Sequence, residues 1–209
     1  MTITRAPSPA ELSPHAAWSH RVRKVGGFIQ LAFAAFWLVR GGLSITGITG
    51  TVLAATGVVL SIAVLGYAIR VTAGIGARPT SAAAKRIERS VSIATVIELV
   101  ASFAFPVIVI AAGHSDWVLP SIAITIGPLL LWLDHLVGIP RFRPVGWALT
   151  VVPFILVAAM SGSALAAITG LGAGVLLLAT ATAGFKDLST LRAQEQLGRV
   201  EQNRQRSNA

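Results

Sequence analysis

Long apolar runs, separated by short charged segments, dominate this sequence. From Val25 to Ile69 the only charged residue is Arg40, and from Pro144 to Phe185 there is none. A helix needs about 20 apolar residues to cross a hydrocarbon layer of roughly 30 Å. Because a chain in lipid must satisfy its backbone polar groups internally, runs of this length predict membrane-spanning segments.

The length and uniform polarity of these runs predict helices and not the strands of a barrel. Barrel strands are about 10 residues long and alternate in polarity, whereas these runs are longer and do not alternate. With only 12% charged residues, the composition also excludes an ordinary soluble domain, which has about 25%. We therefore predict an all-α, polytopic membrane bundle of six transmembrane helices, at 25–42, 51–71, 91–113, 117–137, 145–160 and 163–185.

The basic residues are distributed asymmetrically between the two ends of the predicted helices. Of the 17 Lys and Arg residues, 16 lie in the N-terminal segment, in residues 70–89, in the fourth connection, or after the last run. The positive-inside rule then predicts that both termini are cytoplasmic. The net charge of +9 is thus a topology signal that also favours anionic lipid headgroups, and it does not indicate nucleic-acid binding.

The chain divides into three parts by composition. We predict a disordered cytoplasmic tail over 1–24, a transmembrane domain over 25–185, and a cytoplasmic tail over 186–209 that begins with a short helical extension. The sequence contains no cysteine, which excludes disulfides and thiolate metal sites.

Glu98 is the most unusual residue of the predicted spans. Its helical neighbours Thr95 and Ser102 belong to a small, hydroxyl-bearing face of the kind that packs against other helices. We therefore expect Glu98 to point into the bundle, where a charge is costly, and predict that it is protonated and donates a hydrogen bond to a neighbouring helix. Two interpretations stand: a packing role, or a proton or cation site with Gln30, at a similar depth on the first helix.

Arg40 allows two interpretations. It lies about 24 Å along the first helix from Lys24, near the outer boundary of the membrane. We favour an interfacial residue beside Trp37, with Gly41 and Gly42 ending the helix. The alternative extends the helix further and makes Arg40 an intramembrane charge.

Asp134 and His135 end the fourth predicted helix on the cytoplasmic side. Their position next to Arg141 and Arg143 favours an interfacial role. The alternative is a proton relay, because histidine titrates near neutrality. His135 lacks partners at metal-ligand spacing.

Small residues on the sixth helix predict a close helix–helix contact. Ala166, Gly170 and Gly174 recur at every fourth position, which lets two backbones approach. The fifth helix is the nearest candidate partner, and dimerisation through this face is the alternative.

The segment Leu131–Thr150, LWLDHLVGIPRFRPVGWALT, resembles the junction between the fourth and fifth spans of small, uncharacterised bacterial six-span membrane proteins. In those proteins a histidine near a helix end precedes a basic, proline-containing loop. Asp134 departs from the more apolar version of this pattern. The resemblance implies a bacterial cytoplasmic (inner) membrane protein and carries no assigned activity.

Two functional interpretations follow from the sequence, and a third, an intramembrane enzyme, is set aside. Because no catalytic motif is present, we expect no enzyme and no cofactor, and favour a structural, accessory or partner-binding role in the lipid bilayer, as a homo-oligomer or with a membrane partner. The alternative is a small-solute or proton-coupled ion transporter that uses Glu98. A dry, close-packed core around Glu98 would favour the first; a cavity lined by Gln30, Thr95, Glu98 and Ser102 would favour transport.

Overall fold

The computed structural model describes residues 14–73 and 82–207. Within these ranges the chain forms six α-helices, and a 3-10 turn at Ser115–Trp117 leads into the fourth. The helices are α1 (Pro14–Leu43), α2 (Ile48–Thr72), α3 (Ala82–Ala111), α4 (Val118–Val137), α5 (Phe142–Ala159) and α6 (Gly162–Ser207).

All six helices are long and apolar enough to cross a membrane. This confirms the predicted all-α class and the number of candidate spans in the described part of the chain. Pro106, Pro128 and Pro153 lie inside α3, α4 and α5, and each helix continues past its proline. The orientation of the helices in the membrane remains a prediction.

Both terminal helices extend further than the composition indicated. Helix α1 begins at Pro14, so the second half of the predicted disordered tail is helical, and residues 1–13 lie outside the described part. Helix α6 continues to Ser207, well beyond the short extension expected. The reason is that adding a residue to an existing helix costs far less than starting one, and the polar end of α6 is rich in strong helix formers such as Gln, Glu and Arg.

Helix α6 occupies the centre of the bundle and packs most extensively against α1. One buried cluster joins Trp37 of α1 to Ile126 of α4, Phe142 of α5 and Leu177 of α6. A second cluster joins Leu31 of α1 to Ala68 of α2 and to three α6 residues, Ala181, Phe185 and Leu188. The central helix therefore holds both halves of the bundle together.

Glycines allow α1 to approach its neighbours closely. A Cβ atom on Gly170 of α6 would lie 2.5 Å from the Cα of Gly41, and one on Gly42 would lie 2.7 Å from the backbone nitrogen of Ala54 on α2. The small-residue face of α6 thus packs on α1, which corrects the expectation that α5 is its partner. Gly41 and Gly42 are packing residues inside α1, which runs to Leu43, and do not end the helix.

Helix α3 lies at the edge of the bundle. It packs mainly on α4 and touches α1 at only a few residues. Large side chains on its outer side are exposed, among them Val96, Ile97, Val100, Phe103 and Val107. The sparse contact between α1 and α3 leaves a cavity between them.

Candidate functional site

The cavity between α1 and α3, here called the α1–α3 cavity, has a volume of about 240 Å³. Helices α1, α3 and α4 supply most of its lining, and the start of α5 and two residues of α6 complete it. Its polar and charged lining residues are Arg21, Arg23, Gln30, Glu88, Ser92, Thr95, Glu98 and Arg141.

The polar lining residues of α3 follow the spacing of an α-helix. On α3, Glu88, Ser92, Thr95 and Glu98 recur at intervals of three or four residues, which puts them on one face. Glu88 and Glu98 are about 15 Å apart along the helix axis at 1.5 Å per residue. The cavity therefore reaches from a charged end into the membrane-spanning part of α3.

Two ion pairs lie at the charged end. Arg21 Nη2 of α1 lies 3.7 Å from Glu88 Oε1 of α3, and both side chains are partly exposed. Arg141, just before α5, pairs through Nη1 with Oδ2 of Asp187 on α6. The first pair links the two helices whose separation creates the cavity.

Three nitrogen donors that line the cavity are buried without a hydrogen-bond acceptor. They are Arg23 Nε, Gln30 Nε2 and Arg141 Nε. Gln30 itself is only 8% exposed. Buried polar groups in folded proteins normally have partners. The cavity therefore offers three hydrogen-bond donors to an acceptor that enters it.

Glu98 is buried, at 6% exposure, and belongs to a short chain of hydroxyl groups. Ser102 Oγ lies 3.0 Å from Glu98 Oε1 and 2.9 Å from Thr125 Oγ1 of α4. Thr125 Oγ1 also donates to the carbonyl oxygen of Ile122 at 2.8 Å. The immediate partner of Glu98 is therefore on its own helix, not on a neighbouring one as expected, and α4 is reached through Thr125.

The number of protons available to these hydrogen-bonded groups bears on the protonation state of Glu98. Each hydroxyl has a single proton, so Ser102 and Thr125 supply two of the three protons that the contacts require. If Ser102 donates to Glu98 and Thr125 to Ile122, no proton remains for the contact between Ser102 and Thr125. A neutral Glu98 would supply it by donating to Ser102, which would then donate to Thr125. The arrangement favours a neutral carboxyl, and the protonation of Glu98 remains a prediction.

The structure brings together some of the predicted polar residues and separates others. Gln30, Thr95 and Glu98 line the α1–α3 cavity. Ser102 is bonded to Glu98 but is not part of that lining. Arg40 is exposed near the end of α1 and lies outside the cavity.

Asp134 and His135 also lie outside the cavity. Asp134 is buried at 9% exposure and accepts a hydrogen bond at 3.1 Å from Arg143 Nε, whereas His135 is exposed. The pair with Arg143 agrees with the expected neighbourhood of basic residues. Neither residue shares a lining with Glu98, so nothing in this arrangement supports the relay. Across residues 14–73 and 82–207, no three His, Asp or Glu side chains are grouped as a metal site would require.

Sequence reasoning missed the charged end of the site. Arg21, Arg23 and Arg141 contribute to the predicted topology, and Arg141 to the predicted surroundings of Asp134, but nothing along the chain shows that the three converge. Thr125 could have been found, because it and Ser102 lie at nearly equal distances from the short connection between α3 and α4.

Glu98 also borders a second depression, here called the α3–α4 groove, of about 600 Å³. Ile97, Phe105 and Trp132 form part of its apolar surface, and Thr125 contributes a hydroxyl. Glu98 and Leu129 line both the groove and the α1–α3 cavity. The carboxyl group thus lies in the wall between an internal cavity and an outward-facing surface.

Comparison of the chain with protein-family models, curated proteins and solved structures gives no match.

Proposed function

We propose that this chain is a non-enzymatic, multi-pass protein of a bacterial cytoplasmic membrane that carries a small solute, with Glu98 as a proton-binding group. The observation that carries this proposal is the α1–α3 cavity, which extends from the charged ends of α1 and α3 to Glu98. A close-packed core around Glu98 would have favoured a purely structural role. The cavity, lined by Gln30, Thr95 and Glu98, supports transport instead.

The position of Glu98 suits proton coupling. Ionisable groups inside a membrane are costly, and they mark ion or proton pathways when they face a cavity. Glu98 borders the cavity and the α3–α4 groove, so a small displacement of α3 would change which of the two spaces it faces. Because α3 touches α1 at only a few residues, such a displacement breaks few contacts on the α1 side, and its cost lies in the larger contact with α4.

Water access to the cavity can be tested by cysteine labelling, since the natural sequence has no cysteine. Thr95→Cys places a thiol in the cavity lining. Thr150→Cys is the matched control, because both threonines donate to the carbonyl four residues earlier and Thr150 lines neither the cavity nor the groove. A charged, membrane-impermeant thiosulfonate reagent should modify Thr95→Cys and spare Thr150→Cys. Equal resistance of both variants would contradict a water-accessible cavity.

Proton coupling can be tested in proteoliposomes that contain a pH-sensitive dye. A panel of small solutes is applied as a gradient, and we expect at least one of them to move protons in the natural protein but not in Glu98→Gln. Glu201→Gln, which makes the same chemical change on the exposed end of α6, should behave as the natural protein does. Proton movement that persists in Glu98→Gln would remove Glu98 from the transport step.

A partner-binding role is the second candidate. The observation that favours it is the continuation of α6 beyond its apolar part, where Leu197 and Val200 are 70% and 66% exposed on adjacent turns. If this surface joins copies of the chain, light scattering in detergent should show an oligomer. The double variant Leu197→Ser with Val200→Ser should then be monomeric.

A further inference from the structure

We infer that the solute of the α1–α3 cavity is a single-chain amphiphile with an anionic head, a carboxylate or a phosphate. Its head would bind at the charged end near Arg23 and Arg141, and its apolar chain would extend along the cavity towards Glu98. This inference rests on the proposed function, because it names the class of solute for the same cavity.

The hydrogen-bonding groups of the cavity call for an acceptor. Its three unpartnered buried atoms, Arg23 Nε, Gln30 Nε2 and Arg141 Nε, are all donors. An arginine N–H donates only and cannot be deprotonated in proteins, so water or an anion must satisfy two of the three. Anionic oxygens form the stronger bond, since charge-assisted hydrogen bonds are roughly twice as strong as neutral ones.

The balance of charge at the charged end of the cavity also favours an anionic solute. Arg21 is paired with Glu88 and Arg141 with Asp187, and neither carboxylate pairs with Arg23 in the described part of the chain. Arg23 is therefore a cation in the lining that an anionic head would neutralise. A cationic solute would meet these arginines at the entrance.

The rest of the lining suits a hydrocarbon chain. Apolar side chains from every helix except α2 form it, among them Ile126, Leu130 and Leu133 of α4 and Leu177 of α6. On α1, Val25 and Ile29 line the cavity and are also 47% and 42% exposed. Because these two residues face the cavity and the outside together, the cavity is open along the side of α1.

The volume sets the size of the solute. An apolar cavity of about 150 Å³ in another protein holds one benzene molecule. By proportion, 240 Å³ holds roughly ten non-hydrogen atoms, which matches a medium-length fatty acid and not the two long chains of a phospholipid. We therefore assign the cavity to a single-chain solute, and the experiment distinguishes this from a membrane lipid.

Protection of Thr95→Cys from labelling tests the inference directly. The variant is placed in nanodiscs of zwitterionic lipid and treated with the thiosulfonate reagent in the presence of octanoate, octyl phosphate, octanol or octyltrimethylammonium. We expect octanoate and octyl phosphate to slow labelling at least about fivefold at concentrations where the other two have no effect. Equal protection by all four probes, or protection by the cationic one alone, would overturn the anionic assignment.

Variants of Arg23 locate the head. In the Thr95→Cys background, Arg23→Gln should raise the octanoate concentration needed for half protection by about tenfold or more, as expected when a charged hydrogen-bond donor is lost. Arg23→Lys, which keeps the charge, should lose less. Arg70→Gln is the matched control: it removes a charge at the same end of the bundle from an exposed residue outside the cavity lining. An unchanged requirement in Arg23→Gln would contradict binding at Arg23.

Two further outcomes separate this inference from its premise. If Thr95→Cys resists the reagent without any added solute in zwitterionic nanodiscs, the cavity is closed to water and both proposals fail. If it is labelled there but protected in nanodiscs that contain anionic phospholipid, without added octanoate, a membrane lipid fills the site. The single-chain assignment would then be wrong, while the cavity would remain a binding site.

Discussion

Glu98 is hydrogen-bonded to a serine of its own helix and, through that serine, is linked to a threonine of α4. Ser102 bonds to both Glu98 and Thr125, so one hydroxyl group carries the link between the two helices at this depth. Ser102 and Thr125 together have two protons for three contacts, so only the acid form of Glu98 satisfies every contact. Replacing the carboxyl group therefore has consequences that depend on whether the new side chain can still donate.

Glu98→Gln should be tolerated, whereas Glu98→Leu should destabilise the protein. A glutamine amide donates to Ser102 as the neutral acid does and has nearly the same shape. Leucine removes the donor and leaves Ser102 Oγ with one polar neighbour fewer, at a cost of about 1–3 kcal/mol. Thermal unfolding in detergent measures the difference, with Glu201→Gln as a control for loss of a carboxylate on an exposed surface.

The opposite ranking would contradict this account. If Glu98→Gln unfolds at a lower temperature than Glu98→Leu, donation by residue 98 is not what stabilises the site. Infrared spectroscopy at neutral pH offers an independent check, since an ionised carboxylate that disappears in Glu98→Gln would show that the natural residue is charged.

At the scale of residues, the sequence predicts burial better than partnership. The burial of Glu98 follows from the small residues on its face, which lie on one strip of any α-helix. Its hydrogen bond to Ser102 lies within the same helix, four residues away, and so was also within reach of a local argument. The convergence of Arg23, Gln30 and Arg141 was not, because it depends on how three helices pack against one another.

At the scale of helices, the contact between α1 and α6 depends on having no side chain at Gly170. Gly170→Ala should destabilise the bundle, because the new Cβ would lie 2.5 Å from the Cα of Gly41 and the helices would have to separate. Overpacking of this kind typically costs about 1–3 kcal/mol. Thermal unfolding of the purified variant measures the loss.

Gly172→Ala is the matched control for this prediction. It makes the same change two positions away on α6, where a Cβ would meet nothing within 4 Å. Alanine also favours the helix over glycine by up to about 1 kcal/mol, so this variant should be neutral or slightly stabilised. Equal loss in both variants would show that the glycine contact with α1 does not limit stability.

Hydropathy predicts the helices themselves but not their neighbours. Each of the six predicted spans falls largely within an observed helix, because a run of apolar residues long enough to cross a membrane is a local property. The glycine pattern on α6 correctly indicated a close approach. It could not indicate α1 as the partner, since a small-residue face fits any helix that also lacks bulk at the crossing point.

At the scale of the whole molecule, the basic residues predict the orientation. Reporters fused after Ala209, or inserted within residues 75–85, should be cytoplasmic, because the positive-inside rule assigns both positions to the basic side. A reporter inserted in the turn before α6, next to Ser161, should lie on the opposite side. Fluorescent-protein and alkaline-phosphatase fusions give opposite signals on the two sides and measure each position.

A periplasmic signal from either of the first two positions would overturn the orientation. It would also move the mouth of the α1–α3 cavity to the other face of the membrane, since Arg21, Arg23 and Glu88 lie at the same ends of their helices as the basic segments. The cysteine experiments do not depend on this outcome, because nanodiscs expose both faces.

The pairing of the first helix with the last has a consequence for how the protein is made. The chain is synthesised from its N-terminus, so α1 is complete long before α6, its most extensive partner, exists. Until then, Leu31, Trp37 and Gly41 lack the helix that covers them in the finished protein. Arrival of the final helix is thus the event that closes the core, and a ribosome that stops after α5 would release a chain whose glycine-lined groove on α1 is still open.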